Sequence, residues 1–168
     1  QQIMLSDVEF GIGGGVEVMS KGGYLSPAVR FGARMGDTTL IDTMVATLTD
    51  PFGAGHMGIT AENLAEKWNI SRDEQDAFAA ESHRRATVAI QQGHFKSQIV
   101  PITKSTKKGD LIIDTDEHVR PETTIESLAK MRPAFKKDGT VTAGNASGIN
   151  DGAAFLVLAD RATAEQAG

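Results

Sequence analysis

The stretch TAGNASGINDGAA, Thr142 to Ala154, constrains this chain more than any other, because it carries almost no side-chain volume. Glycine in a folded chain costs conformational entropy, and small residues forgo packing, so a fold keeps such a run only where the room is used. FLVLAD follows directly, an apolar run of strand length that suits the middle of a sheet covered on both faces. The sequence therefore predicts a core strand with open space before it.

Length and charge narrow what could use that space. With 168 residues, the chain has room for one domain, or one domain carrying an insertion. No window is apolar enough to span a membrane, so the expectation is a soluble chain with no membrane partner. A formal net charge of -5 argues against general nucleic-acid binding. The absence of cysteine removes disulfides, thiolate metal sites and thiol catalysis within these residues. His56, His83, His94 and His118 show no metal-ligand spacing, so no metal site is expected. The opening QQIMLSD has no features of a signal peptide, and both ends read as cuts inside a larger chain.

Along the chain, VEFGI (8–12) reads as a strand running into Gly13, Gly14 and Gly15. Without GK[ST] or GxGxxG after it, a sharp turn is the plainer reading and a nucleotide loop the weaker one. Lys21 to Asp37 mixes glycine, aromatics and two arginines, which suits either a subunit contact or a solvated loop. A helix is expected over 42–49. Thr60 can cap a second, with Ala61, Leu64, Ala65 and Trp68 as its apolar face. Ser71 and Glu74 form a capping box opening a long helix to about Gln92, with Phe78, Ala86 and Ala89 along one flank and Gly93 at its end. QIVPIT and DLIID alternate as a hairpin around KSTKKG, whose lysines 104, 107 and 108 read as a solvated loop or a phosphate contact. A short helix is expected over 122–130. These elements predict an α/β layer carrying an inserted α+β domain.

No self-sufficient catalytic set appears: there is no GxSxG elbow and no carboxylate pair placed for hydrolysis. His56, between Gly55 and Met57-Gly58, precedes a helix start, where the backbone dipole favours an anion. Arg120, in DEHVRPETT, reads either as a phosphate clamp or as the partner of Asp116 or Glu117.

Read together and in order, GGGVEVMS, HMGITAENLAEKWNISRDEQDAFA, GHFKSQIVP, KKGDLIIDTDEHVRPETT, SLAKMRPAF and GTVTAGNASGINDGAA resemble the thiolase family over essentially the whole chain. The pattern is most similar to acetyl-CoA acetyltransferases that form acetoacetyl-CoA. That resemblance implies a layered fold of two similar βαβαβαββ halves, with a loop domain inserted in the first half over coenzyme A. Residues 1–18 would belong to the N-terminal core, 19–149 to the loop domain, and 150–168 to the core again. Lys21 to Asp37 would be a tetramerisation loop, making the protein a homo-oligomer, dimer or tetramer, in the cytoplasm.

The resemblance also implies what these residues lack. The family's nucleophilic cysteine in NxxCGSG would lie before Gln1, and its GHP histidine and CxGGG cysteine in the second half. No catalytic residue is therefore assigned, and the chain alone is expected to be inactive. What it would carry is the coenzyme site: Leu48, His56, Met57, Arg120, Ser127, Phe135, Ala143, Ala146 and Ser147 stand where the family contacts coenzyme A, a substrate here rather than a tightly bound cofactor. The small walls would then admit pantetheine, a thin, amide-bearing arm that needs narrow sides and backbone partners. Two other classes remain open at this level: a non-catalytic coenzyme A-binding or oligomerisation module, and, more weakly, a nucleotide-binding oxidoreductase using GIGGG.

Overall fold

The computed structural model describes residues 1–168 and divides into two compact units, Gln1–Met44 with Ile149–Gly168, and Val45–Gly148. The first unit begins with β1 (Phe10–Val18), β2 (Tyr24–Leu25) and β3 (Ile41–Asp42), followed by α1 (Thr43–Thr47) at the boundary. The second holds β4 (Thr49–Asp50), β5 (Gly55–His56), α2 (Met57–Trp68) and α3 (Arg72–Gln91). It continues with β6 (Ile102–Thr106), β7 (Gly109–Ile113) and α4 (Ile125–Ala129), after which β8 (Asp151–Ala159) and α5 (Arg161–Ala167) belong to the first unit. Residues 19–44 thus group with the β1 and β8 unit, whereas the expected inserted domain ran from 19. No helix is long and apolar enough to cross a membrane.

In the first unit, β1 and β8 form an antiparallel pair over their full lengths, with Gly14 opposite Phe155 and Val18 opposite Asp151. Gly13, Gly14 and Gly15 therefore lie inside a continuous strand, which corrects the expected turn. The reason is steric: a Cβ at Gly14 would sit 2.6 Å from the Ala154 carbonyl oxygen and would collide with the Phe155 ring. Phe155 can cross the neighbouring strand only because position 14 has no side chain. The open end of the pair is tied down where Asp151 accepts hydrogen bonds from the Ser20 N–H and hydroxyl. Those bonds hold the Asp151 carboxyl below its ordinary range.

The expectation that FLVLAD is covered on both faces also needs correcting. Within this chain β8 has a single neighbour, and Phe155, Leu156, Val157 and Leu158 are all exposed. A strand apolar on both faces is a strand made to be covered. These 168 residues supply no cover.

In the second unit, the capping box forms as read. The Ser71 hydroxyl accepts from the Glu74 N–H, while Glu74 accepts from the Ser71 N–H, and α3 begins at Arg72. Gly93 beyond its end has φ of 72°, the left-handed geometry glycine tolerates. The β6 and β7 hairpin pairs antiparallel around a tight turn, with Ile102 opposite Ile113 and Lys104 within the strand. α2 differs from expectation at both levels. It starts at Met57, capped by His56 and not by Thr60, and it turns Gly58, Glu62 and Ala65 inward while Leu64 and Trp68 stay exposed. α3 likewise buries Asp76 and leaves Phe78 exposed.

The buried side chains are Ala65, Leu128 and Val141 with Glu62, Asp76 and Thr142. Polar groups make up as much of this core as apolar ones, so hydrogen bonding must hold it together as much as packing does. The sheet geometry generates one expectation. Gly14→Val forces the Phe155 ring and the β8 backbone aside, an overpacking cost of about 1–3 kcal/mol. Thermal unfolding should show a lowered midpoint, whereas the same change at Gly15, with open space around its Cβ position, should be milder.

Candidate functional site

Residues 143–148 offer little side-chain volume for packing, and beyond the buried Val141 and Thr142 the segment 140–148 is anchored by hydrogen bonds. Glu62 projects from α2 as a carboxylate only 4% exposed, and accepts the Thr140 N–H at 2.9 Å and the Val141 N–H at 2.8 Å. The Thr140 hydroxyl adds a third donor at 3.1 Å. Burial alone pushes the Glu62 carboxyl up. The Thr140 and Val141 N–H groups, the Thr140 hydroxyl and the Lys136 charge outweigh that and hold it below its ordinary value.

A second buried carboxylate works on the same loop from α3. Asp76, 1% exposed, accepts from the Asn145 side-chain amide at 2.9 Å and from Arg72 Nε at 2.7 Å. Asn145 in turn accepts the Thr142 N–H at 2.8 Å and donates to the Thr140 carbonyl at 3.1 Å. The far end of the Arg72 guanidinium donates to the carbonyls of Leu128 and Met131, at the end of α4. One carboxylate thereby links the loop to α4. Gly144 completes the contact, since a Cβ there would lie 2.5 Å from Leu128 Cδ2 and from Met131 Sδ.

All nine residues expected at the site fall in the second unit, Val45–Gly148. His56 and Thr49 are paired across β4 and β5, and the Met57 N–H donates to the Leu48 carbonyl at 2.8 Å, so Leu48, His56 and Met57 are neighbours. His56 Nδ1 accepts the Gly58 N–H at 3.0 Å, which leaves Nε2 as the imidazole's donor. Its ring stacks on Phe135, with centroids 5.1 Å apart and 20° between planes. Gly58 is essential to that stack, because a Cβ there would collide with the Phe135 ring.

Phe135 follows directly on the segment that joins the loop. Pro133 and Thr142 form an antiparallel bridge, and the Ala134 N–H donates to the Val141 carbonyl at 2.9 Å. Beyond that bridge the chain turns through Ala143, Gly144 and Asn145 to Ala146 and Ser147. Ala143 and Ser147 are exposed and Ala146 half-buried, so the small side chains face out while Thr142 and Asn145 turn in. Ser127 lies in the first turn of α4, its hydroxyl donating to the Thr124 carbonyl at 2.7 Å.

Arg120 is exposed, and its backbone N–H donates to His83 Nδ1 at 3.2 Å. Its guanidinium pairs with neither Asp116 nor Glu117; the ion pairs of the chain lie elsewhere. His118, two residues before it, stacks on His83 with centroids 6.1 Å apart and packs against Gly148. The segment carrying Arg120 is therefore held beside the end of the small-residue loop. An open depression of about 460 Å³ lies elsewhere, between Glu62, Asn69, Ser71, Lys136 and Thr140, and contains none of the nine.

Sequence reasoning missed the groups that organise the site. Glu62, Arg72, Asp76 and Asn145 touch no expected ligand position, and helix periodicity reads an Arg and an Asp four apart as a solvent-exposed pair. The usable signal was the asparagine: an amide within a run of alanines and glycines has no apolar reason to be there, so it must be satisfying backbone.

Comparison with known proteins gives one result throughout. A family model described as "Thiolase, N-terminal domain" matches residues 1–162. The β-ketothiolase BktB of Cupriavidus necator is 56% identical over 169 residues, covering 100% of this chain and 43% of its own length. A solved acetyl-CoA acetyltransferase from Syntrophomonas wolfei superposes with a TM-score of 0.90 at 45% identity, over 99% of this chain and 42% of that one. Human mitochondrial 3-ketoacyl-CoA thiolase in complex with CoA does so with a TM-score of 0.88 at 42% identity, over 99% and 41%. The chain spans about 43% of the length of the curated relatives it matches.

Two outcomes follow from this geometry. Glu62 has a depressed folded-state value, so its stabilisation is present above the ordinary carboxylate range and lost as pH falls through that depressed value. Glu62→Gln should cost about 1.5–3 kcal/mol at neutral pH in denaturant unfolding. The difference from wild type should shrink below about pH 4. Gly58→Ala should displace Phe135 from His56; a shifted His56 imidazole resonance in NMR, with a cooperative melt retained, would register it.

Proposed function

The chain belongs to the thiolase family, and from that premise we propose that it forms the coenzyme A-binding part of a cytoplasmic acetyl-CoA C-acetyltransferase. The whole enzyme joins two acetyl-CoA molecules into acetoacetyl-CoA, or cleaves that product by thiolysis, through an acyl-cysteine held elsewhere in the protein. Coenzyme A enters as a substrate thioester and is not retained.

One observation carries this reading. The loop 143–147 presents only small side chains outward, while its one large polar side chain, Asn145, is turned inward onto Asp76 and the backbone. A slender chain bearing amides can lie along such a surface where a bulkier one cannot. Ser147 offers a hydroxyl to a pantetheine amide, and Leu48, Met57 and Phe135 offer an apolar wall around the His56 Nε2–H donor. Arg120, with no ion-pair partner of its own, is available for a bidentate contact with nucleotide phosphates. The similar human mitochondrial 3-ketoacyl-CoA thiolase has been solved in complex with CoA, which supports the same assignment.

The chemistry itself requires groups these residues do not include. With no cysteine among the 168 residues, no thiolate can take the acyl group. The bare apolar faces of β1 and β8 fit a chain that works within a larger layered fold, as does its span of about 43% of its relatives. We assign Lys21 to Asp37 to a contact between copies of the enzyme; Phe31 and Met35 there are 91% and 99% exposed.

Three measurements test the reading. Ser147→Leu should abolish coenzyme A binding in calorimetric titration while leaving the circular dichroism spectrum unchanged. Retained affinity in that folded variant would sink the assignment of the loop. Arg120→Ala should weaken coenzyme A by roughly tenfold, the value of a charge-assisted phosphate contact, and weaken phosphate-free pantetheine much less. The 168-residue polypeptide by itself should show no acetoacetyl-CoA thiolysis.

A further inference from the structure

We infer that Asp76 is a positioning residue for the coenzyme site, setting the loop 142–147 and helix α4 at a fixed separation through Asn145 and Arg72. The effect on coenzyme binding rests on the function proposed above; the positioning itself does not.

The argument begins with what Asp76 touches. It is 1% exposed, yet its two oxygens are used on two different elements. Oδ1 holds Asn145, whose amide clamps the Thr142 N–H and the Thr140 carbonyl, fixing the loop backbone on either side. Oδ2 holds Arg72, whose guanidinium spans to the Leu128 and Met131 carbonyls. Between the two ends of this relay lie Ser127 on one side and Ala143, Ala146 and Ser147 on the other. The only other backbone link is the pairing of Pro133 with Thr142 and Ala134 with Val141, which holds the start of the loop but not Asn145 or the residues after it.

The charge pattern makes the relay directional. Arg72 can only donate, and a carboxylate can only accept, so Asn145 must present its NH₂ to Asp76 and its oxygen to Thr142. An Asp76→Asn amide cannot satisfy both neighbours: whichever way it turns, its NH₂ faces Arg72 or its oxygen faces Arg72 and the NH₂ meets that of Asn145. An Asn145→Asp change instead sets two carboxylates against each other. Exchanging the two residues restores one amide and one carboxylate. Thr142 and Arg72 keep their acceptors, while Arg72 loses its charged partner and the Thr140 carbonyl loses its donor and faces a carboxylate oxygen, so the repair is partial.

The experiment uses the longest natural chain that carries these residues, with Asp76→Asn, Asn145→Asp and the exchanged double variant. Each single change should raise the KM for acyl-CoA about tenfold or more, as misplacement of a binding wall does, with kcat moved much less. Amide hydrogen exchange should quicken at Thr142 and Gly144, and the double variant should recover part of both readouts. Folded single variants with wild-type KM and wild-type protection overturn the inference. So does a double variant whose protection recovers while its KM stays raised. If neither the singles nor the double variant unfold cooperatively, Asp76 determines the fold rather than a spacing, and the inference also fails. Exchange that responds as described in a protein with no coenzyme A affinity overturns the coenzyme reading and upholds the positioning.

Discussion

Residues 143–148 carry little side-chain volume to pack with, and beyond the buried Val141 and Thr142 the loop 140–148 is held by backbone N–H groups lent to Glu62 and Asn145. Glu62 takes two N–H groups and a hydroxyl from Thr140 and Val141. Asp76 takes Asn145, and Asn145 takes the next N–H along. A buried carboxylate is costly unless it is fully hydrogen-bonded, and a buried N–H is costly unless it finds an acceptor. Each cost is removed by the other. The anchor occupies the inner side of the loop and leaves its outer side bare.

That division keeps the outer side of the loop open. If the loop were fixed by large apolar side chains, those chains would fill the space a ligand needs. With acids on helices α2 and α3 doing the fixing, Ala143, Ala146 and Ser147 need only be small. The same economy recurs at the glycines. Gly58 lets the Phe135 ring come up beside the His56 cap, and Gly144 lets the loop approach Leu128 and Met131. In both places the missing Cβ is occupied by a neighbour's side chain, so the glycine encodes contact rather than flexibility.

The helix ends and the hairpin were legible because their signals are local. The Ser71 and Glu74 box, Gly93 and the pairing of Ile102 with Ile113 each depend on residues close in sequence. Of the misreadings, one is a local competition between caps and the others have the opposite cause. Thr60 looked like a cap by residue type, but the His56 ring nitrogen reached the Gly58 N–H first. Gly13 to Gly15 looked like a turn, but Phe155 arrived from a strand far away along the chain. Leu64 and Trp68 looked like a core face, yet the surface opposite α2 turned out to be backbone N–H groups, for which Glu62 is the right partner.

By itself the amino-acid sequence determined the family, the order of the elements and which residues of the loop 143–148 are small, since each is written in residue identity and order. Only the tertiary structure decided which charged residues are buried, that Asp76 joins the loop to α4, and that Arg120 is left without an ionic partner. Burial and long-range hydrogen bonding depend on where distant segments meet. A carboxylate reads the same in a sequence whether water or a backbone amide will surround it.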